Sequence, residues 1–322
     1  MKENLFLKKV ENLPIAVVPA MVGAATLSNI YYLLGYIWIR HLTMWIATVI
    51  LLTYIVKILL FYPTCKKEYF NTVPSSLYAG ITMITMILGS YYFDYNNKFG
   101  KGLWILGVGV HAVHIVVFTY NNVIKGLNKD TFLPSWYVTY NGIMVSVVVG
   151  ASMKEPLINK IVLYYGIVAL LIILPFMILR LIKVPVKDAV FHTQAILLAP
   201  SSLCVVCYIN IEDNANNLVL YLLYLLVFGT LLFVLLKLPK FFSYKFTPSF
   251  SALTFPMAIA TLASIKMSSF LNYKGYKLLS NILKEISGIQ IYVTTGIIVF
   301  VLFNFFMIFI KDIKSNFKEG IQ

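Results

Sequence analysis

The chain has 322 residues, of which 60% are apolar and 12% charged, whereas a soluble domain carries roughly 25% charged residues. So much apolar surface excludes a soluble globular fold, and Cys65, Cys204 and Cys207, set deep in apolar sequence, are too few for a disulfide framework. The net charge of +14 comes from lysines placed between apolar segments; they form no basic face or known module, which argues against a nucleic-acid partner and for membrane topology.

Ten apolar segments of membrane-spanning length are predicted. The first, about Pro14 to Leu34, follows Lys8 and Lys9 but is too long for a signal-peptide core, so it reads as a retained helix. The second runs from about His41 to Tyr62, the third from Pro74 to Tyr92 and the fourth from Leu103 to Tyr120. Ser135 to Met153, Leu157 to Leu181 and Ala189 to Ile211 are the fifth to seventh. Leu218 to Leu238, Pro248 to Ile265 and Ile289 to Ile310 complete the set. The chain is therefore expected to be one all-α transmembrane domain over residues 1–322, with short tails at 1–13 and 311–322.

Pro14, Pro74, Pro134, Pro200 and Pro256 stand 60, 60, 66 and 56 residues apart, each opening or interrupting an odd-numbered segment, so a unit of two crossings recurs five times. A proline-broken helix is tolerated in lipid only where protein or a water-filled cavity supplies the missing backbone partners. The odd segments are also rich in small and hydroxyl residues: Gly23 in the first, Ser76 and Gly80 in the third, Thr139, Asn141 and Gly142 in the fifth, Pro200 and Ser201 in the seventh. The even segments are bulkier. Small residues mark either tight helix packing or the wall of a lumen; their alternation over five repeats favours five inner helices around a path, with the even helices facing lipid.

The side of the membrane shared by the first residues holds most of the basic residues; the other side has only Arg40, Lys98, Lys101, Lys154, Lys160, Lys266, Lys274, Lys277 and Lys284 of the 26. This bias predicts both termini in the cytoplasm, in a multi-pass protein of the cell membrane. Lys266, Lys274, Lys277 and Lys284 cluster between the last two spans, against the trend. No acidic or basic residue lies in the middle of an odd segment. A coupled carrier usually needs an intramembrane carboxylate or ion site, so passive conduction through a lumen of hydroxyls, Asn141, amides and aromatic rings is the expected mode.

The ten-span layout, Pro134-Ser135-Trp136-Tyr137-Val138-Thr139-Tyr140-Asn141-Gly142 and Ala199-Pro200-Ser201-Ser202-Leu203 resemble the tellurite-resistance/dicarboxylate transporter family, which includes bacterial TehA and the plant slow-type anion channels. The resemblance implies five helical hairpins in quasi-fivefold array around a central pore, a homotrimer with one pore per subunit, and passage of chloride, nitrate, malate and other dicarboxylates. It implies no cofactor and no catalysis; the partners are small anions and membrane lipids. A phenylalanine on the ninth helix blocks the family's pore, and Thr254-Phe255-Pro256-Met257 matches the plant-type version of that segment.

On the residues alone, Pro256 deprives the Ala252 carbonyl of its helical partner and is expected to bend the helix around Phe255. The ring either gates the lumen as a hydrophobic plug or packs against a neighbouring helix; the resemblance favours the gate. Pro19, Gly23, Ser76, Gly80, Thr139, Asn141, Gly142, Pro200, Ser201, Thr254 and Ala258 are the expected pore-lining positions. Lys266, three turns beyond Phe255, either draws anions to the outer mouth or snorkels to the headgroups, and Arg40 and Lys57 invite the same two readings.

His111 and His114 share one face of the fourth span, but a metal site needs three or four ligands, so hydrogen bonding between helices is the better reading. Cys204 and Cys207 have redox-motif spacing inside an apolar helix, without the strand-to-helix context of that chemistry, and read as packing residues. The competing functions are an anion channel, a proton-coupled dicarboxylate transporter, to which the phenotype of tellurite resistance could attach, and a membrane enzyme using the two histidines.

Overall fold

The computed structural model describes residues 5–212 and 216–319, and no strand occurs among them. Of the two expected tails, residues 1–4 and 320–322 lie outside the described residues, while Leu5–Asn12 forms a first helix, α1. The remaining helices are α2 (Val17–Leu33), α3 (Ile37–Leu60), α4 (Tyr62–Tyr69), α5 (Thr72–Phe93), α6 (Asn97–Thr119), α7 (Trp136–Tyr140), α8 (Val145–Val149), α9 (Pro156–Lys183), α10 (Leu198–Ile211), α11 (Asn217–Ser243), α12 (Thr254–Tyr273) and α13 (Lys277–Glu319). Eight segments are long and apolar enough to cross a membrane; the first span is the shorter α2, and the fifth is assembled from pieces. The connection between the second and third spans folds into α4.

The spans pair as five antiparallel hairpins. Turns after α2 and α12 have the same construction: Gly35 and Gly275 adopt φ of 92° and 85°, and the next N–H reaches back five residues, Tyr36 to the Tyr31 carbonyl and Tyr276 to the Leu271 carbonyl, both at 2.9 Å. This is the Schellman termination, which needs a left-handed residue after the helix. In the second hairpin Asn96 caps α6 instead, its side chain accepting from the Phe99 N–H at 3.0 Å.

The five odd spans close into a ring: α2 packs on α5, α5 on α7 and α8, α8 on α10, α10 on α12, and α12 returns to α2. Each outer helix lies over the seam between its own inner partner and the next, α3 over α2 and α5, α6 over α5 and the fifth span, α9 over α8 and α10, α11 over α10 and α12, α13 over α12 and α2. In the most apolar windows of the third, seventh and ninth spans 72% to 89% of residues are buried, against 28% to 33% for the even spans, so the small-residue helices are the inside and the bulky ones face outward. The fold is an all-α membrane bundle of five hairpins in a quasi-fivefold array.

The expected proline kink takes a different form. Pro19, Pro74, Pro200 and Pro256 are each the third residue of an α-helix, where a backbone N–H has no helical partner to lose. In the seventh and ninth spans the chain reaches that point as 3-10 helix, Asp188–Leu197 and Pro248–Leu253. The proline thus starts an α-helix part-way along the span rather than bending a continuous one. The fifth span, expected as one helix, alternates α7, a 3-10 turn at Gly142–Met144, α8 and a second 3-10 turn at Ala151–Met153.

Backbone proximity fixes the third and fourth spans. A β-carbon on Gly100 would stand 2.3 Å from the Phe93 nitrogen, and one on Gly89 2.7 Å from the Trp104 nitrogen, so close approach of small residues joins this hairpin. Gly100→Ala is expected to destabilise the detergent-solubilised protein by about 1–3 kcal/mol, read as a lowered melting temperature, whereas Gly102→Ala, with nothing within 4 Å, leaves it unchanged.

Candidate functional site: an axial constriction

All five inner spans contribute to one small cavity at the centre of the ring. Pro19 comes from the first span, Leu77 and Met83 from the third, and Tyr137, Val138 and Gly142 from the fifth. Ile196, Ala199 and Leu203 come from the seventh, with Ser251, Ala252, Phe255 and Pro256 from the ninth. Its volume is about 30 Å³, room for no more than about two water molecules. Phe255, 7% exposed, is one of the residues in its wall. Toward the end where the inner helices begin, a vestibule of about 310 Å³ is walled by Pro14, Ile15, Ala16, Glu68, Val73, Pro74, Ala189, Val190, Thr193, Thr247, Pro248 and Ser249. It shares Leu77, Ile196, Ser251 and Ala252 with the constriction, so the two are stacked along one line.

Of the expected lining positions, Pro19, Gly142, Phe255 and Pro256 face this cavity. Others serve the packing around it. Gly23 lets the first span meet the ninth: a β-carbon there would stand 2.6 Å from the Phe255 nitrogen. Gly80 faces Pro19, 3.1 Å from its Cδ by the same construction. Asn141 turns outward and donates to the Gly166 carbonyl of α9 at 2.9 Å. Thr139 also faces outward, with its hydroxyl 3.1 Å from His114 Nε2 and its carbonyl 2.9 Å from His111 Nε2. Ala258, Pro200 and Ser201 are buried but do not line the cavity.

Several of the inner-span hydroxyls bond locally, whereas that of Ser201 has no hydrogen-bond partner among the described residues. Ser76 donates to the Val73 carbonyl at 2.7 Å, Thr82 to Ala79 at 2.7 Å, Ser202 to Leu198 at 2.6 Å, Thr254 to Ser251 at 2.7 Å and Thr261 to Met257 at 2.8 Å. In a water-poor interior such back-bonding satisfies a hydroxyl locally, and it takes the group away from the path. What remains at the constriction is carbon, the Ser251 side chain and the Tyr137 ring. Leu77, Ile196, Ala199 and Leu203 line the cavity without having been expected to; the turn-by-turn spacing of Ile196, Ala199 and Leu203, one face of a helix, was the available signal. Tyr137 lay inside the quoted fifth-span motif, and its hydroxyl is buried with no hydrogen-bond partner among the described residues.

The charged and titratable positions separate cleanly. Lys266 is half-buried on α12, eleven residues or about three turns from Phe255 and so on the same helix face, and among the described residues it has no ion-pair or hydrogen-bond partner. Arg40 is tied to Asp94 at 3.0 Å and to Asn29 at 3.1 Å, a clamp across the ends of the first three spans. His111 and His114 join the third, fourth and fifth spans: Thr82 Oγ1 lies 2.6 Å from His111 Nδ1 and Tyr69 Oη 2.6 Å from His114 Nδ1. Among the described residues no cluster of three or more His, Cys, Asp or Glu could hold a metal. Cys204 and Cys207 are buried free thiols, Cys207 contacting the Met144 carbonyl at 3.4 Å.

Because Gly23 abuts backbone atoms that cannot step aside, Gly23→Ala is expected to lower stability by about 1–3 kcal/mol. Thermal unfolding in detergent checks this, with Gly229→Ala, which meets nothing within 4 Å, as the neutral control.

A model of the family described as SLAC1, voltage-dependent anion channel, matches residues 12–310. The comparison with curated proteins found no match. The matched stretch runs from the start of the first hairpin to the end of the last span, and it takes in the constriction, the vestibule and Lys266. The chain is a multi-pass membrane protein that belongs to the voltage-dependent anion channel family, whose members are anion channels and transporters.

Proposed function

We propose that anions cross along the axis of the inner ring and that Phe255 is the gate. The observation that carries this reading is the convergence of all five inner spans on a cavity of about 30 Å³ with Phe255 and Pro256 in its wall. An apolar throat this narrow cannot keep a column of water, and an ion that would have to shed its hydration there is stopped. The closed state is thus held by dewetting, with no charge on the axis to trap a permeating ion. Beyond the gate Lys266 projects from the Phe255 face of α12 and raises the local anion concentration at the far mouth.

The resemblance and the basic-residue bias support the finer points of the proposal. Substrates are chloride, nitrate and malate or other dicarboxylates. The protein resides in the cell membrane with both termini cytoplasmic, which makes the vestibule the inner mouth. It assembles as a homotrimer with a pore in each subunit, and it conducts rather than catalyses. In liposomes Phe255→Ala is expected to raise chloride and nitrate flux about tenfold or more, equivalent to lowering the barrier by at least about 1.4 kcal/mol. Unchanged flux in a folded variant refutes the gate.

A coupled transporter is the second reading, and the two buried histidines beside the fifth span are the observation that favours it: His114 pairs with the hydroxyls of Tyr69 and Thr139, and His111 with the Thr139 carbonyl. Malate uptake measured against its gradient separates the two. Passive conduction predicts no accumulation when a proton gradient is imposed, while accumulation lost in His111→Gln would replace the channel by a carrier.

A further inference from the structure

Lys57 lies in the last turn of α3 with its side chain 0% exposed. Its ammonium donates to the Leu13 carbonyl at 2.9 Å and to Glu68 Oε1 at 2.8 Å. Glu68 stands on α4, 28% exposed, and its other oxygen accepts from the Tyr78 hydroxyl at 2.6 Å. The two partners differ in access. Glu68 is part of the vestibule wall; Lys57 and Tyr78 are behind it and line no part of the vestibule. A carboxylate is an unusual group to find at the mouth of an anion path, where its charge repels the permeant species. Here that charge is matched by a fully buried ammonium and an aromatic hydroxyl, the donor types that would hold a small anion in a site cut off from bulk water.

We infer that Lys57 and Tyr78 form an anion site at the vestibule and that Glu68 occupies it as a tethered anion. In this arrangement the carboxylate competes with chloride or a substrate carboxylate for the same donors. When Glu68 swings into the vestibule, the vacated place is open to the path, and the buried ammonium requires another negative charge because an unpaired buried cation is strongly disfavoured. A free anion takes the place that Glu68 leaves. Glu68 is then a specificity and occupancy control at the mouth, separate from the Phe255 plug. The inference rests on the vestibule being part of the anion route, but the site itself is detectable by binding alone, without conduction.

The test is thermal unfolding of the purified full chain over a chloride series from about 10 to 300 mM. Three proteins are compared: the unaltered chain, Glu68→Gln and the double variant Lys57→Met with Glu68→Gln. Glu68→Gln empties the carboxylate's charge from the site and leaves Lys57, so its melting temperature is expected to rise with chloride by about 3 °C or more beyond the rise in the other two, as mass action on a native-state site requires. The double variant carries the general salt effect. Equal chloride slopes in all three overturn the inference and show that the pair only ties α4 to α3. Should Glu68→Gln not fold, Glu68→Ala titrated with acetate, which restores a carboxylate, gives the same comparison; recovery of folded protein by acetate supports the site, and no recovery with acetate or chloride overturns it. Failure here with Phe255→Ala still conducting leaves the axial route standing, whereas a chloride shift without conduction leaves the site and removes the route.

Discussion

A backbone that changes pitch inside a membrane exposes N–H and C=O groups that lipid cannot satisfy. Every other feature of this fold follows from that constraint. The inner spans pass from 3-10 to α-helix, or in the fifth span alternate between them, and they are possible only because five outer helices cover each seam of the ring. The outer helices are long and bulky, and most of their residues are not buried within the bundle. The prolines sit where the α-helical segments begin, so the change of pitch carries no lost hydrogen bond at the proline itself.

The same constraint determines what lines the axis. Several hydroxyls on the inner helices bond to carbonyls one turn back, or to outer helices, while those of Ser135, Tyr137 and Ser201 have no hydrogen-bond partner among the described residues. Glycines that looked like openings are contacts: Gly23 on Phe255, Gly80 on Pro19. Carbon side chains from all five spans meet instead at the small central cavity. An apolar throat excludes water by its radius and chemistry, and a single aromatic ring suffices to set that radius. Charge is kept off the central cavity, and Glu68 in the wall of the neighbouring cavity is held by Lys57.

The architecture was legible because it is written in periodicity and composition. Ten segments of spanning length, five prolines at a near-constant interval and the alternation of small with bulky helices lead directly to inner and outer rings. The site was legible in part. Phe255 and Pro256 stand at the constriction, but Thr139 and Asn141 do not, because a polar residue in a membrane helix is drawn to whichever neighbour completes its hydrogen bonds, and sequence does not say which. The pitch change was misread as a kink for a related reason: a proline forbids one hydrogen bond, and whether the helix bends there or begins there depends on the turns before it. The Lys57–Glu68 pair was invisible, since its members belong to different helices and meet only through the fold of α4.

The claim that anions pass through the throat beside Phe255 is tested most directly by blocking that throat chemically. Ala199 lines the constriction, and the native thiols are buried. Protein carrying Phe255→Ala together with Ala199→Cys should conduct chloride across a planar bilayer and lose that current when a negatively charged thiol reagent is added. Current that continues after confirmed modification of the cysteine would contradict the account.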